Sequence, residues 1–218
     1  MKILSVSDVL VPFIYSSQVR AKFSGVDFVI ACGDLPYYYQ EFILSMLDVP
    51  LFFVRGNHDK LEEHSQVGKR SGPDGGVDMH LRTEECKGIL LAGVEGCIRY
   101  RLGDFQYSQS EMWRHVWRLI PSLLKNRIQH GRYLDIFITH APPRGIHDQD
   151  DLPHHGVDAF RWLIQTFHPA YHFHGHIHVY RPDAPVESLV GMTKVINTYG
   201  FRETLITNQR QIKTGLRA

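Results

Sequence analysis

The sequence predicts an α/β fold with one rim of chemically active loops, and three observations carry that expectation. Short, nearly uninterrupted apolar runs recur along the chain, helical segments separate several of them, and many of the runs end on an acidic, amide or imidazole side chain. Near-continuous apolar strands alternating with helices are the pattern of a layered fold whose central strands are covered on both faces. In open α/β sheets the carboxyl ends of the strands share one edge, and sites form there.

The elements follow in order. Lys2 to Ser7 reads as a strand ending at Asp8, Val26 to Cys32 as a second ending at Gly33-Asp34, and Leu51 to Val54 as a third ending at Gly56-Asn57-His58-Asp59. Helices are expected over 15–24 and 37–47, the latter with Pro36 at its start, where a missing N–H is not needed. Residues 62–76 are polar and glycine-rich, with Pro73-Asp74-Gly75-Gly76 as a turn. Val77 to Leu81 and Gly88 to Val94 read as further strands. Ser110 caps an expected helix whose Trp113, Val116, Trp117, Ile120 and Leu124 fall on one core-facing side, and Pro121 kinks or divides it. Leu134 to Thr139 is a strand ending at His140, and Asp158 to Phe167 a helix. Ala170 to Phe173 is a strand ending at His174-Gly175-His176-Ile177-His178, and Lys194 to Thr198 and Glu203 to Thr207 close the fold. No repeat, low-complexity tract or linker interrupts the chain, so residues 1–218 are expected to form one domain.

Composition narrows the function classes. A 218-residue chain that is 43% hydrophobic can bury a substantial core without staples. Its 24 Lys and Arg against 23 Asp and Glu give a net charge of +1, which offers no electrostatic case for a nucleic-acid or membrane partner. No apolar run approaches a membrane span, and the run before Asp8 is too short for a signal peptide. Cys32, Cys86 and Cys97 are odd in number and lack CxxC spacing, so they read as reduced thiols of a cytoplasmic protein. The unusual count is histidine, at 14, the commonest metal ligand among side chains.

Where the ligand-type residues fall is the informative pattern. Asp8, Asp34, Asn57 with His58, His140, and His176 with His178 each follow an expected strand. Carboxylate, amide and imidazole together suit Mn²⁺, Fe²⁺ or Zn²⁺, and no thiolate motif suggests a structural zinc. Two cations about 3.5–4 Å apart can clamp a phosphoryl group and generate hydroxide near neutral pH. Asp34 is the best candidate for a carboxylate bridging them, and a neutral Asn57 limits negative charge where an anionic substrate must enter. His58 is placed to assist the leaving oxygen, with Asp59 to orient it.

The ordered set Asp8, Gly33-Asp34, Gly56-Asn57-His58-Asp59, His140-Ala141-Pro142-Pro143 and Gly175-His176-Ile177-His178 resembles the calcineurin-like metallophosphoesterases, over most of the chain from Asp8 to about Asn197. The run from His140 to Gly145, followed by Gly175 to His178, is similar to the small bacterial-type phosphodiesterase branch. The resemblance implies a four-layer αββα sandwich of two mixed sheets and two divalent cations, Mn²⁺ first, with Fe²⁺ and Zn²⁺ as alternatives. It implies that Asp34, Asn57, His140 and His176 hold one cation, that Asp8, Asp34 and His178 hold the other, and that His58 takes the acid or transition-state-stabilising role.

One position departs from that pattern. The family's first motif is Asp-x-His, and here it reads Asp8-Val9-Leu10. Leucine has no donor atom, so the first site is expected to be weaker. Three readings compete: a site filled only at high metal concentration or replaced by a single cation, a substitute ligand from the loop His147-Asp148-Gln149-Asp150-Asp151 with His154-His155, or a binding scaffold that has lost catalysis.

Other residues have plainer readings. His64, His80, His115, His130, His168 and His172 read as surface or packing residues, His174 as a core histidine, and Asp150, Asp151, His154 and His155 as a solvated loop. Tyr37-Tyr38-Tyr39 reads as a helix start burying one or two rings, with a stacking surface as the alternative. Arg99 is a candidate to hold a phosphate oxygen through its fork of donors. The expectation is therefore a phosphoester hydrolase acting on a small substrate, a diester before a monoester, with metal-activated hydroxide as the nucleophile. A nuclease and a weakly catalytic scaffold are the rivals.

Overall fold

The computed structural model describes residues 1–65, 68–181 and 183–206. The first half of the chain forms β1 (Lys2–Ser7), α1 (Gln18–Lys22), β2 (Phe28–Ala31), α2 (Tyr37–Leu47), β3 (Leu51–Phe53), β4 (Glu63–Ser65), β5 (Gly68–Arg70) and β6 (Val77–Asp78). There follow β7 (Thr83–Cys86), β8 (Ile89–Val94), β9 (Cys97–Ile98), β10 (Gln106–Tyr107), α3 (Gln109–His130) and β11 (Ile136–Thr139). A 3₁₀ turn (Leu152–His154) leads to α4 (Asp158–Phe167), β12 (Tyr171–His174), β13 (Glu187–Val190), β14 (Thr193–Asn197) and β15 (Gly200–Leu205). No helix among the described residues is long and apolar enough to cross a membrane.

The strands assemble into two large mixed sheets, ordered β15-β1-β2-β3-β6 and β13-β14-β12-β11-β8-β7. Within them β1, β2, β3 and β6 run parallel, as do β8, β11, β12 and β14, while β15, β13 and β7 add antiparallel edges. Apolar side chains on both faces of the central strands explain the layering. Ile3, Phe28 and Ile30 of one sheet meet Leu91, Ile138 and Phe173 of the other. Leu4, Val29 and Leu51 point outward against Val19, Tyr39 and Ile43 of the first two helices. Ala92 and Phe137 pack outward against Val116, Leu119, Phe160 and Leu163 of α3 and α4. The result is the four-layer αββα sandwich.

Several elements differ from the sequence expectation. The polar stretch 62–76 contains the β4–β5 hairpin, and the strands β7 and β13 were not expected. The helix expected over 15–24 is confined to Gln18–Lys22, and the strand expected from Val77 to Leu81 to its first two residues. The last strand begins at Gly200, and Thr207, its expected end, lies outside the described residues. Ser108, not Ser110, caps α3, through a capping box with Glu111. Pro121 does not divide that helix. The carbonyl its missing N–H would have bonded belongs to Trp117, which is 57% exposed and so has water within reach. The core face of α3 is Met112, Val116, Leu119 and Leu123, whereas Trp117 and Leu124 lie outside, contrary to expectation.

Candidate metal centre

The rim loops begin in left-handed backbone. After β1 comes Asp8 (φ 67°), after β2 come Gly33 (φ 90°) and Asp34 (φ 57°), and after β12 comes His176 (φ 67°). Non-glycine residues hold this conformation only where the surroundings enforce it, and they cluster at functional sites. The loops are bound to one another: Asp8 N–H donates to the Gly33 carbonyl (3.1 Å), and Gly175 N–H to the His140 carbonyl (2.9 Å). Glycine is required twice. A Cβ on Gly33 would lie 2.5 Å from the Gly56 nitrogen and 2.7 Å from His140 Nδ1, and one on Gly56 would overlap the Asp34 carboxylate.

His140 is fully buried, and its Nδ1 lies 2.7 Å from the Cys32 carbonyl. A carbonyl only accepts, so Nδ1 carries the hydrogen and Nε2 is left to face Asn57 Oδ1 (3.0 Å), Asp34 Oδ2 (3.4 Å) and His176 Nδ1 (3.1 Å). His176 follows the same logic: its Nε2 donates to the Pro153 carbonyl at 2.7 Å, which leaves Nδ1 as the acceptor. The Asn57 amide is turned by its Nδ2, which donates to the Tyr100 hydroxyl at 3.1 Å. Two imidazole lone pairs, an amide oxygen and a carboxylate thus face one another. Four acceptors repel unless a proton or a cation lies among them. Burial pushes the His140 imidazole down, but the Asp34 carboxylate outweighs it and lifts it to about 9, so a proton can fill that place. Burial together with His140 holds His176 down at about 3. The donors of Asp34, His140 and His176 all lie within 4.8 Å of one another, and the oxygen-and-imidazole set fits a divalent cation of borderline hardness.

The remaining predicted residues are placed as follows. Asp8 accepts the His176 N–H with both oxygens (2.9 and 3.1 Å), and burial raises its pKa. His178 lies outside the group formed by Asp34, His140 and His176; its Nδ1 pairs with the Tyr180 hydroxyl (2.7 Å) and its ring lies 4.8 Å from that of Tyr199. Leu10 is exposed. His58 is exposed, and its backbone N–H donates to Asp34 Oδ1 at 2.8 Å. With Asp34, Pro36, Tyr38 and Lys60 it lines a cleft of about 400 Å³. Tyr37 and Tyr39 are buried, and only Tyr38 presents its ring to that cleft.

Two residues make contacts other than those expected of them. Asp59, expected to orient His58, instead accepts the main-chain N–H groups of Asp34 (2.9 Å), Leu35 (3.1 Å) and Gly56 (2.7 Å), joining the loop after β2 to the loop after β3. Burial and the neighbouring Asp34 charge raise its carboxyl to about 7. Arg99, expected at a phosphate oxygen, commits its guanidinium to the Gln106 carbonyl (3.2 Å) and to Glu111 (2.9 Å) at the start of α3. Sequence reasoning gave no role to Tyr100 or Pro153. A tyrosine beside the Arg99 candidate was the only signal for the first, and a carbonyl leaves none for the second. His174 is the expected core histidine, fully buried with its Nε2 on His147 Nδ1 at 2.8 Å.

A sandwich of two mixed sheets with this centre at one rim is the architecture of a metal-dependent phosphoesterase class, and comparison with known proteins agrees. The family model for calcineurin-like phosphoesterases matches residues 1–180, and the chain belongs to that family. It is 25% identical to the UPF0046 protein K07C11.7 of Caenorhabditis elegans over 138 residues, 57% of this chain and 44% of that protein's length. The matched segment therefore spans less than half of that relative. Among solved structures, TT1561 of Thermus thermophilus superposes with a TM-score of 0.60 at 16% identity, covering 91% of this chain and 89% of that one. Another superposes with a TM-score of 0.62 at 15% identity, covering 93% of each chain. These two likenesses concern the fold alone.

Proposed function

We propose that the protein is a metal-dependent phosphoester hydrolase acting on a small phosphodiester. The observation that carries this reading is the convergence of Asp34 Oδ2, Asn57 Oδ1, His140 Nε2 and His176 Nδ1, with both imidazole tautomers fixed by main-chain carbonyls. Those four groups would hold the cation, with Asp8 adding negative charge behind His176. A divalent cation bound there supplies Lewis-acid stabilisation of a phosphoryl oxygen and acidifies water. The mixed oxygen-and-imidazole set accommodates Mn²⁺, Fe²⁺ or Zn²⁺, and Mn²⁺ is the occupant proposed first.

The chain's own residues supply the rest. Asn57 is neutral, which leaves room for an anionic ester. His58, exposed at the mouth of the cleft beside Asp34, donates a proton to the departing oxygen. The cleft's size suits one substituent of a small substrate, with Tyr38 as a wall. The preference for a diester rests on the His140 to Gly145 and Gly175 to His178 motifs. The test is hydrolysis of a chromogenic aryl phosphodiester and its monoester counterpart, with Mn²⁺ and after chelation. Diester turnover that needs the metal and is lost in Asp34→Ala supports the reading. Turnover of neither ester at saturating Mn²⁺ overturns it, and monoester preference overturns the diester assignment.

A further inference from the structure

The polar loop between Pro143 and Val157 has a base closed by two main-chain hydrogen bonds, Arg144 N–H to the Val157 carbonyl (3.1 Å) and Val157 N–H to the Pro142 carbonyl (2.9 Å). Such a short-necked loop is held by its own side chains. Its tip is the 3₁₀ turn Leu152–His154, where the Pro153 carbonyl accepts the His176 Nε2 hydrogen at 2.7 Å. Two contacts bracket that carbonyl. His154 Nδ1 lies 2.7 Å from Asp151 Oδ2, and His154 N–H donates to the Asp151 carbonyl at 3.2 Å. The His154 carbonyl in turn accepts Gln149 N–H at 3.1 Å, and the His154 ring lies 5.6 Å from the His176 ring, tilted by 45°.

Resting on the metal-centre reading above, we propose that Asp151 and His154 are positioning residues whose pairing holds the Pro153 carbonyl against His176 and so selects Nδ1 as the nitrogen offered to the cation. An imidazole has two chemically similar nitrogens, and the partner of one decides which is free to bind a metal. The outer nitrogen of His176 is held by this main-chain carbonyl where a carboxylate would be the alternative. A carbonyl cannot be mutated away, but the side chains that fix its position can. Without the Asp151–His154 pair, the turn has no side-chain bond between its cap and its last residue. The main-chain bonds of the turn remain, so His176 keeps its partner but is held less firmly.

The experiment is calorimetric titration of metal-free protein with Mn²⁺, in wild type, Asp151→Ala, His154→Ala and Asp151→Asn, alongside thermal unfolding of each metal-free protein. Both alanine variants are expected to raise Kd by up to about 10-fold, below the about 10- to 100-fold that deleting an outer partner outright costs, because the Pro153 carbonyl itself stays in the chain. Asp151→Asn keeps an oxygen that can accept the His154 Nδ1 hydrogen, so it is expected to stay close to wild type. The metal-free melting temperature should move little in all three. Unchanged affinity in both alanine variants overturns the proposal. So does a loss of metal-free stability large enough to account for the weaker binding, or a loss in Asp151→Asn equal to that in Asp151→Ala. Failure of wild type to bind Mn²⁺ would instead overturn the metal-centre reading itself.

Discussion

Asp59→Ala separates two roles for a residue that the sequence assigned to His58. In the structure its carboxylate accepts three main-chain N–H groups at 2.7 to 3.1 Å, and these belong to the two loops that carry Asp34 and Asn57. Removing it leaves three donors without a partner. A buried unsatisfied donor costs about 1–3 kcal/mol. Although burial dominates the environment of its carboxyl, part of the Asp59 residue meets solvent, so water can enter the vacated space, and the low end of that range applies. The expected loss is therefore about 3 kcal/mol, or roughly 6–12 °C in Tm for a chain of this size. Asp59→Asn keeps one acceptor oxygen and should lose about half as much. Thermal unfolding in the presence of a chelator measures both. If Asp59→Ala melts within 2 °C of wild type (about 1 kcal/mol or less) yet turns over substrate as slowly as His58→Ala, the carboxylate acts on His58, and the loop-joining account is wrong.

Three further outcomes follow from the same geometry. His58→Ala should lower turnover by about 10²–10⁴-fold with bound metal unchanged, and least for esters with good leaving groups; metal lost with turnover, read by elemental analysis, contradicts it. Gly33→Ala places a methyl group 2.5 Å from the Gly56 nitrogen at a φ of 90°, so it should cost about 1–3 kcal/mol from crowding alone and weaken Mn²⁺ binding in the same titration; a variant with wild-type affinity contradicts it. Burial holds His80 and His172 down at about 3 and His147 at about 4, so these imidazoles stay neutral in the fold while the unfolded chain takes up protons below about 6.5. Their contribution is complete above that pH and is lost as pH falls through the folded values. Urea unfolding should show stability dropping between pH 6.5 and 4 by about 1.4 kcal/mol per unit for each net proton, and a flat profile contradicts it.

What could be read from the sequence follows from how strongly one residue's environment depends on others. Strands β1, β2, β3, β8, β11 and β12 are buried on both faces, and their largely apolar runs announce them. The strands β7 and β13 lie at the edges of their sheet, where half of the side chains meet water, and Thr83-Glu84-Glu85 or Glu187-Ser188 reads as loop. In α3 two apolar stripes compete, Met112/Val116/Leu119/Leu123 and Trp113/Trp117/Ile120/Leu124, and periodicity alone does not say which one the sheet will cover. Choosing the larger side chains gave the wrong side for Trp117 and Leu124. At the site, residue type and strand-end position singled out Asp34, Asn57, His140 and His176, whose side chains do converge. The partners that orient them are a Cys32 carbonyl, a Pro153 carbonyl and a Tyr100 hydroxyl. Main-chain oxygens carry no mark in a sequence, and Tyr100 meets Asn57 only across the fold.

A cation is proposed to replace the proton that His140 otherwise holds among the four groups of the site, and an anomalous-scattering map from a Mn²⁺-soaked crystal tests this most directly. A peak is expected within coordination reach of Asp34 Oδ2, Asn57 Oδ1, His140 Nε2 and His176 Nδ1, with His140 Nδ1 and His176 Nε2 still on the carbonyls of Cys32 and Pro153. A map with no peak there, or one in which the ion binds His176 through Nε2, contradicts it.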